Sequence, residues 1–151
     1  FYNLGFRGSY IIFDLPHFSI LQEYFLKAQQ ITTVSDVEEI DENIGVSCIS
    51  KMEDLETFFR TTKINLNSNS LFLATWSLSE SSMEVRNKFF PLINAFSDYL
   101  VAYHEEFCDV DNVKYFKDFK DRLSGISWKN SSIDHLLGNH YYLMGNKRLK
   151  N

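Results

Sequence analysis

The sequence predicts an α/β fold: a mostly parallel sheet sandwiched by helices, with an antiparallel last strand. Two observations carry this. Short apolar, β-branched or aromatic runs alternate with stretches whose apolar residues recur at helical spacing. The last two apolar runs have no helical crossover between them, so the final strand is expected to run antiparallel to its neighbour.

Ser9-Tyr10-Ile11-Ile12-Phe13 reads as a buried strand closed by Asp14-Leu15-Pro16, since Pro16 cannot donate a ladder hydrogen bond. Over 18–29 the residues Ile20, Leu21, Tyr24, Phe25 and Ala28 recur at helical spacing, with Pro16 suited to the first turn. An acidic stretch, 35–43, leads to a second strand at Gly45-Val46-Ser47-Cys48-Ile49. Ser50 is then a candidate cap for a helix containing Leu55, Phe58 and Phe59, with Glu53 completing a capping box. Residues 65–69 are polar turn material, and 70–76 form a long apolar strand ending in Trp76. Ser81 or Ser82 caps a helix carrying Val85, Phe89, Leu92 and Ile93, and a fourth strand follows at 99–103. Asp111 or Asn112 starts a helix with Val113, Phe116 and Phe119 that ends before Gly125. Strands at 126–128 and 140–144 close the chain, joined by a loop through Gly138 at positive φ.

The chain has 151 residues, 44% of them apolar, which suits a single domain with one core. Fourteen Phe, eight Tyr and two Trp supply bulky apolar surface, against disorder. A net charge of −5 argues against a phosphate-backbone binder, so no nucleic-acid partner is expected. The basic cluster Lys147, Arg148 and Lys150 reads as a solvated tail. Cys48 and Cys108 match no metal spacing and read as two buried thiols of a cytoplasmic protein. No apolar run approaches the roughly 20 residues of a membrane helix, and the start lacks the features of a signal peptide. The chain begins at Phe1 without an initiator Met and is expected to begin inside a longer domain.

In open α/β sheets ligands sit outside the carboxyl ends of the strands, so each strand end is a candidate. Asp14 has two readings: a carboxylate gripping both ribose hydroxyls of a nucleoside cofactor, or a helix cap beside Pro16. Trp76-Ser77-Leu78-Ser79-Glu80 ends the central strand with an indole, two hydroxyls and a carboxylate that can line a pocket; alternatively Ser79 and Glu80 only begin the next helix. His104, followed by Glu105 and Glu106, is a candidate general base or a surface histidine. His135, Gly138, Asn139 and His140 form a last polar cluster, read as a turn rather than a metal site. No nucleophile elbow, P-loop or Gly-rich dinucleotide fingerprint is present.

Ile11-Ile12-Phe13-Asp14-Leu15-Pro16-His17-Phe18 resembles the second-strand motif of Rossmann-like O-methyltransferases. Together with Ala74-Thr75-Trp76-Ser77-Leu78-Ser79-Glu80, Leu100-Val101-Ala102-Tyr103 and Gly138-Asn139-His140-Tyr141-Tyr142-Leu143, it is similar to bacterial putative sugar O-methyltransferases, over nearly the whole chain. The resemblance implies a Rossmann-like sandwich of strand order 3-2-1-4-5-7-6 with strand 7 antiparallel. It implies S-adenosyl-L-methionine as methyl donor, with Asp14 and Leu15 at its ribose and Ser50, Lys51 and Met52 near the adenine. Trp76 and Ser77 would face the methionine portion, and Ser79, Glu80 and Asn139 a small-molecule or glycan acceptor.

Two departures follow. The first βα unit, with its Gly-rich loop, is missing from this chain, so a preceding segment or another chain, as in a homo-oligomer, is expected to supply it. Where plant enzymes of this kind carry a catalytic His, this chain has Ser79, a poor base without an activating neighbour; Glu80, His104 and His135 are the candidate bases. The competing readings are a nucleotide-sugar-modifying enzyme or glycosyltransferase on the same scaffold, and a degenerate binding module without catalysis.

Overall fold

A computed structural model describes residues 5–6, 8–33, 45–62, 65–66 and 69–147. The acidic stretch 35–43 and Arg148 and Lys150 of the basic tail lie outside the described residues. The protein is mixed α/β and falls into two compact units, Phe1–Ile64 and Asn65–Asn151.

In the first unit, β1 (Ser9–Phe13) and β2 (Gly45–Ile49) pair in parallel, Ser9 opposite Gly45 and Phe13 opposite Ile49. The crossover includes α1 (Pro16–Ala28), with Pro16 in its first turn. β2 leads into α2 (Met52–Thr61). Val46, Ile49, Leu55 and Phe58 are the buried apolar residues here. The apolar stripe expected to bury α1 is instead exposed: Ile20, Leu21, Tyr24, Phe25 and Ala28 all face out, and Ser19 is the helix's buried residue. A two-stranded sheet is too narrow to cover a whole helical stripe. The capping box at Ser50 does not form either. α2 starts one residue later than that motif requires, with Lys51 at the cap position and no side-chain bond to the helix.

The second unit is built on a four-stranded mixed sheet. Its strands are β3 (Leu71–Thr75), β4 (Asp98–His104), β7 (Ile126–Ser132) and β8 (His140–Lys147), in the order β3-β4-β8-β7. β3 and β4 are parallel; β8 is antiparallel to both β4 and β7. α3 (Met83–Ile93) connects the parallel pair, capped by the Ser82 hydroxyl, which accepts from the Val85 N–H. α4 (Asn112–Arg122) is capped by Asp111, whose carboxylate accepts from the Lys114 N–H. Val101, Tyr99, Tyr103, Phe116, Phe119, Leu123, Leu143 and Ile93 form the buried core. Trp128 packs on Tyr99 and Phe119 and lies across Gly145, its partner in the ladder, where a Cβ would come within 2.4 Å of the indole.

Between β4 and α4 stands a hairpin the sequence reading did not anticipate, β5 (Glu106–Phe107) and β6 (Val110–Asp111). Its two-residue turn, Cys108-Asp109, has positive φ at both positions, 46° and 64°, as a right-twisted hairpin requires. This puts Cys108 at an exposed tip rather than in the core, while Cys48 is half-buried; both thiols are free. Among the described residues no helix is long and apolar enough to cross a membrane.

Candidate functional site

The first unit gathers its candidates at the carboxyl end of the parallel pair. Asp14 follows β1 directly, and its N–H donates to the Ile49 carbonyl, 3.1 Å away, extending the ladder one residue. Ser50, Lys51 and Met52 follow β2 at the same edge. The Asp14 carboxylate does not cap α1, whose cap position is Leu15 without a side-chain bond. Its Oδ1 accepts from the Leu15 N–H and its Oδ2 from the Gln22 amide, each at 2.8 Å. A carboxylate oxygen accepts more than one hydrogen bond, so this half-buried group is oriented by two donors and keeps lone pairs for a ligand. Nearby, burial pushes the Tyr10 hydroxyl and the Cys48 thiol above their ordinary pKa values.

In the second unit the turn after β3 is the most constrained piece of backbone. Trp76 has φ of 63°, a left-handed conformation that is an outlier for so bulky a residue. Four hydrogen bonds hold it there. Its N–H donates to the Ala102 carbonyl at 2.7 Å, and its carbonyl accepts from the Glu80 N–H at 2.9 Å and the Ser79 hydroxyl at 2.8 Å. The indole N–H donates to His140 Nδ1 at 3.1 Å.

The far end of that turn is fixed by Arg86, which has no exposed surface. Its guanidinium donates to the Ser79 carbonyl at 2.6 Å, the Ser81 carbonyl at 2.9 Å and Asn112 Oδ1 at 2.7 Å, and it lies 4.5 Å from the centre of the Tyr115 ring. Burial lowers its pKa, with the Tyr115 hydroxyl acting in the opposite direction. Ser79 is likewise without exposed surface. Its hydroxyl is committed to Trp76 and its carbonyl to Arg86 and Asn112, so the residue expected to touch an acceptor is an internal strut of the turn.

His104 ends β4 directly opposite His140 in the antiparallel ladder, with 6.0 Å between the ring centres. Phe107 flanks His104 at 5.4 Å. Beside this pair, the Asn139 amide bonds the Glu105 carboxylate, and the Glu105 N–H donates to the Asn139 carbonyl. Trp76, His104, His140, Glu105 and Asn139 thus form one cluster at the sheet edge. Glu80 and Ser77 stand exposed on the adjoining turn. His135 is exposed in the 133–139 loop and makes no bond or ring contact to the cluster among the described residues. Of the three candidate bases, His104 alone is in that cluster. The sequence reading missed Arg86 and Asn112 as site residues, since they look like ordinary polar residues near helix ends, and gave His140, the first residue of its last strand, no role beyond the polar cluster at the Gly138 turn. Only the β4–β8 register reveals that His140 faces His104.

Comparison of the chain with protein-family models, with curated proteins and with solved structures finds no match.

Proposed function

We propose that the chain is part of an S-adenosyl-L-methionine-dependent O-methyltransferase with a Rossmann-like sheet, acting in the cytoplasm on a hydroxyl of a sugar or glycan precursor. Asp14 carries the reading. Its carboxylate stands at the carboxyl end of a parallel strand pair, where nucleosides bind in open α/β sheets, oriented by Leu15 and Gln22 and with acceptor capacity left for a vicinal diol. The strand orders add support: β2-β1 and β3-β4-β8-β7, with β8 antiparallel, correspond to the 3-2 and 4-5-7-6 portions of the order the resemblance implies.

The donor supplies an electrophilic methyl group on a sulfonium. The remaining task is to hold a hydroxyl oxygen in line with it and to take up the hydroxyl proton. In this reading His104 is the base, since its ring belongs to the Trp76–His140 cluster and makes no hydrogen bond of its own among the described residues. Glu80 is the alternative, exposed on the same turn.

Calorimetric titration of the intact protein with S-adenosyl-L-methionine tests the reading. Saturable binding is expected, weakened at least tenfold in Asp14→Ala. Undiminished affinity in the variant removes the ribose assignment. Binding of a nucleoside diphosphate sugar in place of the methyl donor would favour a nucleotide-sugar enzyme.

A further inference from the structure

We propose that His140 is a positioning residue of this site: a neutral imidazole, protonated on Nε2, that holds the Trp76 indole and so fixes the left-handed turn at the end of β3. The inference rests on the methyltransferase reading only for its kinetic consequence.

The tautomer follows from the partners. An indole N–H can only donate, so the His140 Nδ1 that receives it at 3.1 Å must carry a lone pair. The Leu137 carbonyl can only accept, and it lies 3.0 Å from Nε2, which must therefore carry the proton. Both contacts select the same neutral form. A second proton would set an Nδ1–H against the indole N–H, donor against donor, and break the link that spans from β8 to the turn. Each ring nitrogen is occupied, so His140 does not serve as the base; His104, across the ladder, keeps that role.

The strain at Trp76 gives the link its purpose. A bulky residue at φ 63° sits in a sparsely populated region of backbone space, and such a conformation persists only where its surroundings over-determine it. Arg86 and Ser79 restrain the backbone of the turn from inside; His140 is the side chain that restrains the indole itself. The titratable groups in the cluster around the ring are His104 across the ladder, with 6.0 Å between ring centres, and Glu105, held by Asn139.

Two-dimensional NMR of the intact protein reads this directly, because it has two indole N–H groups and the buried one of Trp128 has no hydrogen-bond partner among the described residues. In wild type the Trp76 indole signal is expected to move as pH falls, with the midpoint of the His140 ring resonances, while Trp128 stays put. His140→Asn, which keeps an acceptor near the Nδ1 position, should retain the hydrogen-bonded Trp76 signal but lose its pH response; His140→Phe should lose both. In methyl-transfer assays His140→Phe should lower kcat about tenfold to a hundredfold, with KM for the donor unchanged and His140→Asn largely restored. A Trp76 signal indifferent to both pH and His140→Phe overturns the latch, and an unchanged kcat in His140→Phe overturns its positioning role. Loss of the function reading would look different: the NMR response would be present in a protein that binds no methyl donor.

Discussion

Arg86 is a positive charge buried with no carboxylate partner among the described residues. Its charge is balanced by three oxygen acceptors, two of them carbonyls of the 76–81 turn, and by the face of Tyr115. Removing it strands the buried Asn112 Oδ1 and leaves the buried Ser79 carbonyl only its Asn112 amide donor, which costs more than the lost bonds themselves. Arg86→Met should therefore destabilise the protein by about 3 kcal/mol in urea unfolding. Arg86→Lys should recover little, since an ammonium cannot serve three acceptors spread around a planar fork. A loss below about 1 kcal/mol for Arg86→Met would show the clamp to be marginal. The contrast with Asp14 explains what single residues disclose. Asp14 follows an apolar run and precedes a Pro, so its place at a strand end is legible from neighbours in sequence. Arg86 sits 26 residues from Asn112, and His140 is 64 from Trp76. No local pattern encodes such partners.

At the level of elements, hydrophobic period and caps did most of the prediction, and their failures are local. Strands at 9–13 and 45–49 match their predicted bounds because polar or Gly/Pro residues punctuate both ends. The helix after Asp111 matches because a true capping carboxylate stands at its start. At α2 the helix starts one residue past the predicted cap, and Lys51, not Ser50, takes the cap position. This gives a paired prediction. Asp111→Ala removes an observed side-chain-to-backbone bond and should lower stability by about 1 kcal/mol. Ser50→Ala removes no cap and should change stability by less than about 0.5 kcal/mol. Chemical denaturation of the two variants side by side checks both; equal losses would mean that Ser50 caps α2 in solution.

Across the whole molecule, the alternation of strands and helices and the reversed last strand were legible, because each follows from whether a helix separates two strands. The separation of the β1–β2 pair from the four-stranded sheet follows from pairing between distant strands, and the exposed face of α1 was not foreseen because periodicity says which face is apolar, not what covers it. The aromatic content has a consequence at the same scale. Tyr99 is buried in the second unit, with its ring against Phe72 and Trp128 and its hydroxyl near the Ile93 and Phe96 carbonyls, at 3.1 and 2.9 Å. A phenolate there would lose its solvation and face two carbonyl oxygens, so burial, aided by Asp98, pushes its pKa up to about 12 from 10.0. Burial raises Tyr103 and Tyr115 as well, against opposing contributions from Asn130 and from Arg86 and Arg122 respectively. With a folded pKa above the unfolded one, the stabilisation is complete below pH 10 and is lost as pH rises toward 12. Tyr99 alone accounts for about 2–3 kcal/mol of that loss. Urea unfolding followed across this window should show stability falling as pH rises from 10 toward 12, with a shallower fall in Tyr99→Phe. If phenolate absorbance instead showed all eight tyrosines ionising near pH 10 in the folded protein, the buried hydroxyls would be reachable by water and the core less tightly closed than these contacts require.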